Sequence, residues 1–323
     1  MAILEIEKLC VTYLSGKKQV KAVDQVSLEM EQGDSLGIVG ESGSGKSTLA
    51  MALLQLHDPR CTRLGGQARF HGEDLLSMDA KRMRELRWKD ISVVFQKSMN
   101  SLSPVHRIGE QFEDIYRVHQ PHASRQEIRA RVVQLFEMVN LAPRVYDLYP
   151  HELSGGMLQR ISIALSLIFS PQLLIMDEAT TALDVVTQGQ ILSEIKKLEQ
   201  QISVTRLMIT HDLSVVATSC KKIIVMYAGQ LMEFGLVADV LQKPLHPYTQ
   251  GLVRSFPSLH GAKTDLKAIP GTLPDLAHPP GGCIFAPRCE KATPRCFQER
   301  PVDVTIQGLH RVACHLYSGG DAQ

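Results

Sequence analysis

Gly40-Glu41-Ser42-Gly43-Ser44-Gly45-Lys46-Ser47-Thr48 is the stretch whose reading decides the fold. It fits G-x-x-x-x-G-K-[ST] without a mismatch. An apolar run at 36–39 precedes it and a helical pattern at 48–56 follows. A strand that turns through glycines into a helix directs successive backbone N–H groups and the positive helix end at one point. Phosphate binds at such a point. Lys46 is expected to neutralise the β- and γ-phosphates and Ser47 to ligate Mg²⁺. The bland alternative is a glycine turn with a lysine on its rim, and the flanking strand and helix disfavour it.

Working outward, short apolar runs at 36–39, 91–95, 173–176, 207–209 and 223–226 read as buried parallel strands, each followed by helical patterning. That alternation predicts an α/β fold with a mostly parallel sheet. The segments 4–6, 11–13 and 26–30 alternate apolar with polar residues, which predicts an antiparallel layer beside it. Between about 97 and 160 the pattern is helical: Ser124 and Glu127 form a capping box, and Ile128, Val132, Leu135, Phe136 and Val139 share one apolar face. After Leu241 prolines crowd in, predicting a separate extension, largely loop, with a disordered tail from about Ser318. The run at 173–176 ends in Asp177 and Glu178. A buried strand would deliver both carboxylates to the sheet's C-terminal edge beside the phosphate loop, Asp177 for the metal and Glu178 as general base to the attacking water. Alone, such a pair is more often a solvated strand end; the phosphate loop reverses that reading.

Composition excludes several classes. With 323 residues, 44% hydrophobic and 21% charged, the chain is long enough for a substantial core. A formal net charge of +1 argues against a nucleic-acid binder. The longest apolar stretch, 161–169, falls short of the roughly 20 residues of a bilayer helix. Residues 1–8 carry two glutamates and show no leader pattern. A cytoplasmic chain is expected, attached to a membrane only through a partner.

Leu153-Ser154-Gly155-Gly156-Met157-Leu158-Gln159-Arg160 lies upstream of the acidic pair and resembles the LSGGQ signature of ABC ATPases, with Met157 in place of glutamine. Ser-Gly-Gly at a helix start is a second anion site. One chain does not easily bring both sites to one nucleotide, whereas two chains arranged head to tail do. The resemblance implies a RecA-like phosphate-loop core with the antiparallel layer, a helical ABC subdomain inserted in it, and ATP as substrate. It implies that Gly40, Glu41, Ser42, Gly43, Ser44, Gly45, Lys46, Ser47, Thr48 and Asp177 bind ATP. Tyr13 stacks on adenine, Gln96 senses metal and water, and Ser47, Gln96 and Asp177 meet the Mg²⁺. Ser154, Gly155, Gly156 and Asp184 (in Ala182-Leu183-Asp184) face the partner's nucleotide, and His211 contacts the γ-phosphate. Glu178, His211, Gln96 and Lys46 form the catalytic set. Ala179 stands where many relatives have proline. Boundaries follow at 1–96 and 161–240 for the core, 97–160 for the helical subdomain and 241–323 for the extension.

Within the extension, 244–249 (Pro-Leu-His-Pro-Tyr-Thr), 269–274 (Ile-Pro-Gly-Thr-Leu-Pro) and 282–289 (Gly-Cys-Ile-Phe-Ala-Pro-Arg-Cys) resemble dipeptide/oligopeptide/nickel importer ATPases. That implies a related partner ATPase, two permeases, an extracytoplasmic solute-binding protein, and a place on the cytoplasmic face of the inner membrane. The cargo implied is dipeptides or oligopeptides, with nickel or metallophore complexes and glutathione as alternatives. Cys283, Cys289, Cys296 and Cys314 crowd into the extension, while Cys10, Cys61 and Cys220 are scattered. Four thiolates on a segment with little core suit a metal centre. The spacing lacks the close pairs of zinc sites, and the resemblance implies a four-iron [4Fe-4S] cluster, with Arg288 and Arg295 beside it. Zinc, a disulfide and unligated thiols are the alternatives. A non-transport ABC ATPase would carry two modules or a coiled-coil insertion, a phosphate-loop kinase or GTPase lacks the Ser-Gly-Gly site, and a purely regulatory module would have lost Lys46, Asp177, Glu178 or His211.

Overall fold

The computed structural model describes residues 2–16, 18–95, 102–179, 185–202, 204–255 and 269–317. They fall into two compact units. Every residue of the strands Ser35–Val39, Leu173–Asp177 and Thr205–Thr210 is buried, as expected of parallel strands covered on both faces.

The unit comprising Ala2–Met30, Ser35–Ser77 and Ile209–Gln323 contains the phosphate loop. Its antiparallel sheet runs in the order Lys18–Glu31, Ala2–Ser15, Thr62–Phe70, Glu73–Asp74. Leu4 stands opposite Phe70 and Ile6 opposite Ala68, and all four are buried, so the alternation at 4–6 marks the packed face. The strand Ser35–Val39 pairs in parallel with Lys222–Tyr227, Ile38 opposite Ile224. Next come Gln230–Leu236, His310–Ala313 and Asp303–Gln307, all antiparallel. Among its loops the extension carries regular structure that the prolines hide: it adds two strands to the sheet and the helix Pro247–Ser255. These strands are four and five residues long and turn at Gly308 (φ 55°), too short for their alternation to stand out among prolines.

A polar knot joins the extension to that sheet. Glu233, fully buried, accepts from the N–H groups of Leu245 (2.9 Å) and His246 (2.8 Å) and lies 2.7 Å from His310 Nε2. His246 Nδ1 in turn accepts from the N–H of Tyr248 at 3.0 Å. Burial pushes the His246 imidazole down to about 3 from an ordinary 6.5. Between those values the unfolded chain binds the proton that the folded chain refuses, so stability rises with pH there and is lost as pH falls below about 6.5. His246→Asn keeps an acceptor for the Tyr248 amide and removes the titrating ring. The thermal midpoint of the native chain should fall between pH 6.5 and 4.5 more steeply than that of the variant; parallel slopes would count against the assignment.

The other unit comprises Glu31–Asp34 and Met78–Met208. Its strands Ile91–Phe95 and Leu173–Asp177 pair in parallel, Phe95 opposite Asp177. Around them lie the helices Ile108–His119, Arg125–Met138, Gly155–Ser166 and Val185–Ile202. Ser124 caps the second of these, its hydroxyl accepting from the Glu127 N–H at 3.2 Å, and Ile128, Val132, Leu135, Phe136 and Val139 are buried as their spacing predicts. Buried Glu113 accepts from the Tyr146 hydroxyl (2.6 Å) and from Arg125 Nε (2.9 Å), so its desolvation is offset by charge-assisted bonds. Among the described residues no helix is long and apolar enough to cross a membrane.

Candidate functional site

The phosphate loop closes on itself. Gly40 has φ 156° and sits where a Cβ would lie 2.1 Å from the Met226 carbonyl oxygen; Gly45 has φ 93° and the same distance separates its would-be Cβ from the Ala22 oxygen. Both positions need glycine because the neighbour is backbone. Ser44, fully buried, has its carbonyl bonded by the Gly229 N–H at 3.0 Å. The Lys46 ammonium donates to Gly40 O (2.8 Å), Glu41 O (2.9 Å) and Ser44 Oγ (3.2 Å). A buried cation is thus held at the centre of the loop by its own carbonyls. The helix Lys46–Leu53 begins at Gly45 with no side-chain cap, which leaves its N-terminal end to an anion. Ser42, Gly43 and Ser47 are exposed and Thr48 is half-buried.

Tyr13 lies on the same unit. Its hydroxyl is 3.4 Å from Thr48 Oγ1 and 3.3 Å from His57 Nδ1, and the two rings meet edge to face at 5.4 Å. His57 has no counterpart in the sequence reading, since nothing in its immediate neighbours marks it. His211 is exposed immediately after the buried strand Thr205–Thr210, and Asp212 caps the following helix through the Ser214 N–H at 2.8 Å.

On the other unit, Asp177 closes its strand buried at 5% exposure, and half-buried Glu178 follows with φ 49°. A non-glycine residue in left-handed backbone is strained, and the bend swings Glu178 off the strand's alternation. Ser154 is the N-cap of Gly155–Ser166, its hydroxyl accepting from the Met157 N–H at 3.3 Å; Ser154 and Gly155 are exposed. Gln96 and the segment Ala182, Leu183, Asp184 lie outside the described residues. The exposed Ser47 hydroxyl on the first unit is a hard oxygen of the kind Mg²⁺ takes, and so, on the second unit, is the Asp177 carboxylate.

The iron–sulfur expectation is overturned, and the zinc alternative with it. All seven cysteines are free thiols, and among the described residues no group of three or more His, Cys, Asp or Glu side chains is disposed to hold a metal. Burial pushes the Cys283 and Cys289 thiols up, and Cys314 up to about 11. The premise of a coreless segment fails too. Ile284, Phe285 and Ala286 are buried in one cluster with Val240, Tyr227 and Tyr248, and Phe285 meets those two tyrosines at 5.1 and 5.3 Å between rings. Apolar packing does here what ligation was expected to do. The arginines do not serve the thiols: Arg295 pairs with Glu299 at 2.8 Å, and Arg288 with Glu41 of the phosphate loop at 2.9 Å.

Residues 23–181 match the family described as ABC transporter, and residues 232–296 the family described as oligopeptide/dipeptide transporter, C-terminal region. The chain is 40% identical to a dipeptide transport ATP-binding protein of Caldanaerobacter subterraneus, covering 98% of each. It is 41% identical to an oligopeptide transport ATP-binding protein of Salmonella typhimurium, covering 97% of this chain and 93% of that one. Among solved structures, 72% of the chain matches 98% of a dimeric bacterial ABC transporter cassette, with a TM-score of 0.65 and 29% identity. A dimeric ATP-binding cassette in a post-hydrolysis state with ADP and Pi matches with the same TM-score and coverage at 28% identity. With relatives at this identity along almost its whole length, and a C-terminal region matching theirs, the chain belongs to the oligopeptide/dipeptide branch of the ABC transporter ATP-binding proteins.

Proposed function

We propose that this chain is the ATP-hydrolysing subunit of an importer for dipeptides or oligopeptides, working on the cytoplasmic face of a membrane. The observation that carries this is the joining, in one chain, of a built phosphate loop with a C-terminal region of the oligopeptide/dipeptide type. The relatives named for dipeptide and oligopeptide transport support the cargo over nickel, metallophore complexes or glutathione. A related second ATPase subunit, two permeases and a solute-binding protein complete the proposed assembly, and the solved dimers of similar cassettes support pairing of two such chains.

In this reading the loop 40–48 wraps the ATP phosphates, Lys46 balances their charge and Tyr13 contacts the base. Bound Mg²⁺, held by Ser47, Asp177 and Gln96, would screen the phosphate oxygens. Glu178 takes the proton of the attacking water, His211 orients the γ-phosphate, and Ser154, Gly155, Gly156 and Asp184 serve the nucleotide on the partner chain. The corresponding divisions are 1–96 and 161–240 for the core, 97–160 for the helical subdomain and 241–323 for the extension.

The exposed cap at Ser154 gives a test. Ser154→Arg should leave ATP binding by the isolated chain unchanged and lower hydrolysis by the assembled transporter by about 100-fold, because the lost donor acts on the partner's nucleotide. Equal loss of binding and hydrolysis would refute the division of labour. Uptake of labelled dipeptide by vesicles carrying the whole complex tests the cargo; uptake of nickel without peptide would replace that part of the reading.

A further inference from the structure

The extension reaches Glu41 of the phosphate loop by two routes. The Glu41 N–H donates to the hydroxyl of fully buried Tyr248 at 3.0 Å. The Glu41 carboxylate accepts from Arg288 Nη1 at 2.9 Å. The guanidinium of Arg288, its side chain only 7% exposed, is bonded at every nitrogen: Nη1 also donates to the Tyr227 hydroxyl (3.1 Å), Nε to Pro270 O (2.7 Å) and Nη2 to Ile269 O (3.2 Å). The strap at 269–273 lies against Arg288 and against the phosphate loop at Gly43. Gly271, at φ 79°, would place a Cβ 3.3 Å from Arg288 Cγ, and Leu273 Cδ1 is the nearest atom to a Cβ at Gly43.

This arrangement answers an electrostatic problem. A loop that cradles the phosphates of ATP carries an acidic side chain of its own, and an uncompensated carboxylate there would repel the ligand. Arg288 is fixed by two carbonyls and a phenol before any ligand arrives, so its charge is pre-oriented on Glu41. We propose that Arg288 is a positioning residue for nucleotide binding: it cancels the Glu41 charge and holds that carboxylate turned toward the extension and away from the phosphates, while Tyr248 fixes the Glu41 backbone. The extension is then part of the ATP site's electrostatics and not only an appendage for other subunits.

The proposal rests on the reading that the loop 40–48 holds the ATP phosphates, and ATP binding by the unaltered full-length chain tests that reading separately. Arg288→Gln should weaken ATP binding by about tenfold, the effect of stripping one partner from a largely desolvated pair. The loss should shrink as ionic strength rises, since the repulsion is screened. Glu41→Gln alone leaves the Arg288 charge uncancelled beside the loop and should tighten ATP binding, and Arg288→Gln combined with Glu41→Gln should recover most of the loss. In the assembled transporter the KM for ATP should rise in Arg288→Gln with kcat held, as for an interaction that acts equally on bound substrate and transition state. Native affinity in Arg288→Gln would overturn the proposal. So would a loss that Glu41→Gln does not relieve, because Arg288 would then act by packing alone. If Arg288→Gln fails to fold, Glu41→Gln decides the matter: tighter binding in that variant upholds the proposal, and unchanged or weaker binding overturns it.

Discussion

Glu178→Gln is expected to retain ATP and to lose turnover by about 10²- to 10⁴-fold, the contribution of a positioned general base. The substitution keeps the shape and the hydrogen-bonding reach of the side chain and removes only its capacity to take a proton. The backbone at this position lies in the left-handed region (φ 49°), directly after the buried Asp177. Strain of that kind costs on the order of 1–3 kcal/mol and is retained when it aims a side chain. Because glutamine pays the same backbone cost, the fold and the nucleotide affinity should not move. Steady-state hydrolysis by the assembled transporter, set beside ATP binding by the purified chain, separates the two effects. Native turnover in the variant would remove Glu178 from the role.

Gly45→Ala should do the reverse and weaken binding. The added methyl carbon would stand 2.1 Å from the carbonyl oxygen of Ala22, which is backbone and has no rotamer to yield. The residue's φ of 93° adds conformational strain for any side chain. Relief requires the loop to open, and Lys46, bonded to the loop oxygens of Gly40 and Glu41, would move with it. An affinity loss of about 100-fold follows if 2–3 kcal/mol of strain falls on the bound conformation. Gly43 makes the control: a Cβ there meets only the flexible end of Leu273 at 3.4 Å, although its φ of 82° is also positive, so Gly43→Ala should cost less. Titration of the two variants with ATP, alongside their thermal midpoints, checks the order; equal affinities would count against the steric account.

What could be read from the sequence was what is local. The strands Ser35–Val39, Ile91–Phe95, Leu173–Asp177, Thr205–Thr210 and Lys222–Tyr227 stand out because burial on both faces demands an unbroken apolar run. The phosphate loop stands out because glycines at fixed offsets are the only residues its backbone admits. Ser124 and Glu127 were legible because a cap is written within four residues. The Glu41–Arg288 pair spans 247 positions, and no local pattern announces it. The same holds for Glu233, which bonds residues 12, 13 and 77 positions away. The four cysteines misled for a related reason. Their clustering in sequence suggested ligation, while the apolar packing of Ile284 and Phe285 against Tyr227 and Tyr248, which makes a metal unnecessary for stability, depends on side chains tens of residues upstream.

The two short strands of the extension have a further effect. They end the sheet on Asp303–Gln307, five residues of which four are exposed, in place of the seven-residue Gln230–Leu236 with its buried Met232, Glu233, Phe234 and Gly235. A long apolar margin with unpaired amides and carbonyls would be a template for a stray chain. A hem of five residues, even with Ile306 exposed on it, offers a stranger fewer bonds than the longer margin it covers.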